Sequence, residues 1–287
     1  MNTISTKTYR DKYRLANLDT LLRSALVAEK ICMVDRSGLK TLQSPYGSQP
    51  TTVVQAIAGT YTPAAYTTTD DTLTVADEFI VSEHIFDFEQ TLTQFDVFSS
   101  RLDEQQFSIA NAIDKWVLNC LCEDGTGAYT TPVGGFTTAS NINTIMGNLL
   151  SKVAGFSDTY KGLYLVLEAT DIVGFTIAQA TNGFNFADMA LKNGFMTNYM
   201  GVEIYVVKAG IFVDETTSTV SGTKTWTNLG HRVFGVKNIA TYAAPQGVKF
   251  EEKGVTGKTG MEVVTYGYIG FKLWAPKVTL TVDITLA

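Results

Sequence analysis

Residues 71–125 read DTLTVADEFIVSEHIFDFEQTLTQFDVFSSRLDEQQFSIANAIDKWVLNCLCEDG, and this stretch decides the fold. As far as Phe88 the residues alternate between apolar and polar, the pattern of one long strand, whereas Ser100 to Glu123 has helical spacing. Such a helix spans about 36 Å at roughly 1.5 Å per residue. Ser100 with Asp103 reads as a capping-box-like start, and Gly125 stands where a C-terminal cap is wanted. Ile109, Ile113, Trp116, Val117, Cys120 and Leu121 form one apolar stripe. A long strand feeding a long one-sided helix is expected of a structural spine rather than of a catalytic pocket.

Composition narrows the classes. The chain has 287 residues, of which 45% are hydrophobic and 17% charged, enough for one large core or two small ones without a disulfide or metal. Cys120 and Cys122 sit roughly 200° apart round a helix and Cys32 is remote in sequence, so the three cysteines suggest neither a bridge nor a metal site but a reducing compartment. No apolar run approaches a membrane span. The net charge of −6 argues against a protein whose main task is gripping nucleic acid. Its distribution is uneven. Residues 1–30 hold Lys7, Arg10, Lys12, Arg14, Arg23 and Lys30 against three acids, whereas residues 77–104 hold eight acids, among them Asp77, Glu78 and Glu83, against Arg101 alone. Two solvated faces are one reading; a basic arm lying on an acidic spine, its own or a neighbour's, is the other.

Upstream of the spine, Leu15, Leu18, Leu22, Ala25 and Leu26 predict a short amphipathic helix within residues 14–30. Residues 35–71 are rich in Thr, Ser, Gly and Pro, and a structureless loop of this length is improbable, so an extended hairpin is expected, with another subunit as partner for its apolar residues. Phe88, Leu92 and Phe95 suggest a shorter helical patch before the spine.

Downstream, an α/β block is predicted: a helix from Ser140, a buried strand over 163–167, a helix over 172–180 capped by Thr170, and a loop over 182–201. Strands over 202–207 and 232–236 follow, separated by an insertion at 214–230, then a helical turn over 238–243. The alternation of Val278, Leu280, Val282, Ile284 and Leu286 with polar residues predicts a terminal strand paired in a sheet.

Chemical motifs are missing where each would have to be. Gly257-Lys258-Thr259 lacks the earlier glycine of a phosphate loop, since Glu252 occupies that position, and a hairpin turn is the expected structure. His84 and His231 lie in no metal pattern, and no Gly-X-Ser-X-Gly elbow exists. Asp77 and Glu78 are strand neighbours pointing to opposite faces, and Asp103 and Glu104 are expected near the positive end of the helix dipole. No catalytic residue, cofactor site or metal site is assigned, and the chain reads as a non-enzyme.

The order of elements, together with the run VADEFIVSEHIFDFEQ…LDEQQFSIANAIDKWVLNCLCEDG, the NGF…MGVEIYVV passage, and HRVFGVKNIATYA followed by GYIGFKLWAPKVTLTVDITLA, resembles the major capsid protein of tailed double-stranded DNA phages. The resemblance implies the α+β Hong Kong 97-like capsid fold. Residues 1–31 would be an N-terminal arm, 32–79 an extended loop, 80–125 with 247–287 a peripheral domain carrying the spine helix, and 126–246 an axial α/β domain. It implies self-assembly into the hexamers and pentamers of an icosahedral shell around double-stranded DNA, contacted weakly, as a virion component assembled in the host cytoplasm. Partners implied are further copies of the chain, a separate scaffold protein, a portal and decoration proteins, with no membrane and no cofactor. Candidate inter-subunit contacts are Lys7, Arg10, Arg14, Lys40, Asp77, Glu78 and Glu83. Lys40 lies in the region where some relatives crosslink, but nothing identifies its partners and no crosslink is assigned. The alternatives are an encapsulin-type nanocompartment shell and a β-rich tail or adhesion module.

Overall fold

The computed structural model describes residues 27–47, 59, 68–85, 97–153, 162–181, 195–215, 226–244, 249–254, 259–275 and 277–287. In chain order these form α1 (Ala28–Ile31), β1 (Met33–Asp35), β2 (Thr41–Gly47), β3 (Thr68–Thr74), β4 (Asp77–Ile85), α2 (Val97–Asp124) and β5 (Gly127–Thr130). Next come α3 (Ala139–Val153), β6 (Leu163–Glu168), α4 (Ile172–Thr181), β7 (Phe195–Tyr199), β8 (Val202–Val207), β9 (Asp214–Glu215) and β10 (Trp226–Thr227). The chain closes with β11 (His231–Val236), β12 (Ala240–Ala243), β13 (Lys249–Gly254), β14 (Met261–Leu273) and β15 (Thr281–Thr285).

Two sheets share one helix. In the first, β14 is the axis: β4 pairs antiparallel along Met261–Ile269 and β13 along Met261–Tyr266 on the opposite edge, β12 pairs antiparallel farther along at Gly270–Leu273, and β1 adds to β12 in parallel. The second runs β5-β15-β11-β6-β8-β7. Helices α3 and α4 cover one face of it through Ile142, Ile145, Leu149 and Phe175, packed on Leu165, Ile204, Phe234 and Ile284. Its other face, with Tyr164, Val166 and Val233, joins the C-terminal half of α2 in a core that also takes in Phe79, Ile269 and Leu273 of the first sheet. All six residues of the predicted spine stripe lie in that core. Each is at least nine-tenths removed from water, so the stripe stabilises both sheets at about 25 cal/mol per Å² of apolar surface buried.

Several expectations are corrected. The strand expected from Asp71 is two: β3 ends at Thr74, Val75 and Ala76 are irregular, and β4 starts at Asp77, because β3 pairs with β2 whereas β4 pairs with β14. Helix α2 starts at Val97, so Ser100 and Asp103 lie inside it and Asp103 and Glu104 are beyond its first turn. Thr170 caps nothing; Glu168 and Asp171 form a reciprocal capping box on the 3-10 turn that leads into α4. The expected loop over 182–201 contains strand β7. Residues 238–243 are not helical: Asn238 has φ 62 and the chain then extends into β12, bonded to β14. Residues 277–280 are a 3-10 turn, so the terminal strand is only β15.

Two strands lie across the expected domain limits, since β12 belongs to the β14 sheet and β15 to the sheet with β11. Of the helix expected within residues 14–30, residues 14–26 lie outside the described residues and the rest is met by α1, and the patch at Phe88, Leu92 and Phe95 also lies outside the described residues.

Candidate functional site

Strand β4 divides the candidate residues by the simplest rule of a strand, alternation. Phe79, Val81, Glu83 and Ile85 share the face toward α2, while Glu78, Ile80 and Ser82 face outward opposite Tyr268, Tyr266 and Val264 of β14. Glu78 and Lys40 line one cleft of about 580 Å³ at the root of the β2–β3 hairpin, with Gly38, Val75 and Tyr268. Asp77 is half-buried on the opposite face from Glu78, as the alternation predicts. Glu83 is engaged within its own chain: Arg101 of α2 donates to both carboxylate oxygens and Gln105 Nε2 donates at 3.2 Å. Burial acts to raise the Glu83 carboxyl, but the hydrogen bonds from Arg101 and Gln105 outweigh it and hold it below the usual range. Lys7, Arg10 and Arg14 lie outside the described residues.

Sequence reasoning missed the polar groups that fix elements to one another. Asp71 of β3 reaches the body: Lys272 Nζ of β14 lies 2.9 Å from Oδ1 and the Ala275 N–H donates to Oδ2 at 3.1 Å. Asp114, on the buried side of α2, accepts the N–H groups of Val27 and Ala28 at 3.0 and 2.8 Å and so anchors the start of α1. Burial pushes the Asp114 carboxyl up to about 6 against those two hydrogen bonds. A carboxylate between Ile113 and Trp116 on an apolar stripe was the one available signal.

In the second sheet, buried Arg232 donates Nε to Asp171 at 2.5 Å and Nη2 to Glu168 at 3.1 Å, and Glu168 also accepts the N–H groups of Gly210 and Phe212. Lys237, Glu203 and the Tyr205 hydroxyl form a further cluster.

These arrangements hold structure; none has the form of a reaction centre. Burial pushes the Cys32 and Cys122 thiols well up, away from the thiolate a nucleophile needs. His231 Nδ1 sits 2.8 Å from Asp283, whose carboxylate also accepts a hydrogen bond from the Cys122 thiol, and burial together with that carboxylate holds the thiol in its protonated form. Among the described residues no three His, Cys, Asp or Glu side chains converge as metal ligands, and no helix is long and apolar enough to cross a membrane. Gly254 pairs with Met261 across the predicted β13–β14 turn, so the lysine-containing glycine segment joins two strands.

No protein-family model and no curated protein matches the sequence. Solved structures do match, over nearly the whole chain. The capsid of the cyanophage P-SCSP1u superposes with a TM-score of 0.72 at 14% identity, covering 100% of this chain and 93% of that one. The mature capsid of bacteriophage PhiM1 gives 0.66 at 10% identity, covering 90% and 85%. A virus-like particle from Pyrococcus furiosus gives 0.59 at 11% identity, covering 96% and 99%. The chain has the α+β fold of these shell subunits, the Hong Kong 97-like capsid fold.

Proposed function

We propose that the chain is the major capsid protein of a tailed double-stranded DNA phage, assembling with its own copies into the hexamers and pentamers of an icosahedral head. The observation that carries this is the superposition on a cyanophage capsid subunit, which covers 100% of this chain and 93% of that one at a TM-score of 0.72. The surface supports it: Ile80 and Tyr268 stand exposed on the outer face of the first sheet, and Val173 and Ile177 are exposed one turn apart on α4, apolar area that a shell would cover.

In this reading residues 1–31 are the arm, the β2–β3 hairpin with the segment between its strands is the extended loop, the β14 sheet with α2 is the peripheral domain, and the sheet with α3 and α4 is the axial domain, to which β15 returns. Lys40 and Glu78 are offered to a neighbouring subunit at the hairpin root, and the basic residues Lys7, Arg10 and Arg14 to an acidic surface. A separate scaffold, a portal and decoration proteins complete the head, and packaged DNA touches the shell weakly. The head is built in the host cytoplasm.

The test is electron microscopy of the chain expressed alone and with its neighbouring phage genes. Closed shells or capsomers support the reading; a protein that stays monomeric at high concentration with its scaffold present overturns it. The Pyrococcus particle supports a second reading, a nanocompartment shell. The contents of the purified particles separate the two: nucleic acid for the head, a cargo enzyme for the compartment.

A further inference from the structure

The β2–β3 hairpin joins the body through two short connections. One is the exposed segment Arg36–Lys40, with Gly38 at φ 80, and the other is the irregular pair Val75–Ala76. The root is closed on itself by the hydrogen bond from the Val75 N–H to the Lys40 carbonyl, 2.9 Å. From that root the two seven-residue strands run away over about 23 Å. A tilt of about 10° at the root therefore moves the Gly47–Thr68 end by about 4 Å, comparable with the spacing between strands. What sets the tilt must lie near the root.

Three features hold it there. Leu73 is buried. Gly270 of β14 lets the hairpin exit pass closely, since a Cβ on it would sit 2.7 Å from the Thr74 carbonyl oxygen. Asp71 binds the body through Lys272 and the Ala275 N–H while its Oδ1 also accepts the Thr72 N–H at 3.0 Å. Of the three, only Asp71 supplies a directional bond from a hairpin side chain to the body, and it is charge-assisted. Lys40 and Glu78, beside the root, line an open cleft of about 580 Å³, which leaves space for the root to tilt once that bond is gone.

We propose that Asp71 is the positioning residue of the extended hairpin, acting with Lys272 and the Ala275 N–H to set the angle at which the hairpin leaves the body and hence the geometry of the shell. The proposal rests on the capsid reading. The neutral substitutions Asp71→Ala and Lys272→Ala loosen the angle; Lys272→Arg keeps a cation within reach and preserves it.

The experiment has two arms on the full chain. In unassembled protein, hydrogen exchange across residues 41–47 and 68–74 is expected to be about tenfold faster in D71A and K272A and unchanged in K272R, with the β14 sheet protected as in wild type. In assembly with its scaffold, D71A and K272A are expected to lose the single shell diameter of wild type, giving mixed sizes and open sheets, and K272R to restore it. Wild-type protein that forms no shells overturns the capsid reading itself. Wild-type shells accompanied by uniform, wild-type-sized D71A and K272A shells overturn the clamp alone. Unchanged exchange in the hairpin of D71A does the same without reference to assembly.

Discussion

Replacing Arg232 by Met keeps much of the side chain's apolar length and removes its charge. The guanidinium is buried and donates to Asp171, Glu168 and the His231 carbonyl, and it lies 5.4 Å from the Phe212 ring centroid. Without it two carboxylates, on residues only 9% and 3% exposed, lose their sole described cation. Glu168 keeps the N–H groups of Gly210 and Phe212, and Asp171 keeps that of Glu168, so neither is stripped of donors. Removing one partner of such a buried ionic group costs about 3–5 kcal/mol, a large share of the about 5–15 kcal/mol that holds a domain folded. Urea unfolding of the unassembled protein, followed through the fluorescence of buried Trp116, measures it. The triple variant Glu168→Gln, Asp171→Asn, Arg232→Met retains hydrogen-bond acceptors while removing the orphaned charge, and is expected to recover all but about 1–2 kcal/mol. A loss below about 1 kcal/mol in R232M, or a triple variant as unstable as the single one, refutes the argument that the cluster's cost lies in unpaired charge.

Asp114 predicts an unusual pH dependence. Its carboxyl is raised to about 6 in the folded chain, so between about pH 6 and pH 4 the folded state holds a proton that the unfolded state has lost. Asp114 then adds stability as pH falls through that window, by about 3 kcal/mol at most. Urea midpoints from pH 7 to pH 4 should show this gain in wild type relative to D114N, and parallel profiles would contradict it. Gly174→Ala places a Cβ 2.0 Å from the Phe136 carbonyl oxygen, forcing α4 away from the turn at residues 135–137. A loss of about 1–3 kcal/mol is expected, and a melting temperature equal to wild type would show that the contact yields freely. Because Gly47 pairs with Thr68, residues 48–67 can be replaced by Asn-Gly to close a two-residue hairpin. That variant should melt like wild type and fail to form closed shells, and normal shells would remove residues 48–67 from the list of assembly contacts.

Periodicity made the spine legible. An apolar stripe that repeats over four turns of helix has few other readings, and α2 buries all six of its residues. The start of α2 was less legible because Ser-X-X-Asp suits a helix interior as well as a cap, and nothing local marks Val97. Residues 238–243 misled for a different reason. A short apolar run satisfies either period, and the decision is made by pairing with β14 some thirty residues later. The same distance hid the polar contacts: Arg232 meets Glu168 and Asp171 only because β11 lies beside β6, and Asp71 meets Lys272 from 201 residues away in the numbering. The adjacent carboxylates Asp70 and Asp71 were visible in the sequence, yet only the fold tells which of them turns inward. Among the candidate inter-subunit contacts, the bond of Glu83 to Arg101 within its own chain was not legible because alternation gives a residue's face but not which face the helix covers.

Helix α2 and strand β14 have nearly equal lengths, about 42 Å for 28 helical residues and about 43 Å for 13 extended ones. They run in the same direction, Gln105 meeting Thr265 and Trp116 meeting Phe271. Strand β14 is hydrogen-bonded to partners on both edges over Met261–Tyr266, so a pull along its axis loads those bonds together, in shear, instead of opening them one at a time. With a helix packed alongside, bending would require the two to slide past each other against the Gln105–Thr265 and Trp116–Phe271 contacts, so the pair would act as one beam. A shell built of such beams would transmit internal pressure laterally from subunit to subunit without unfolding any one of them.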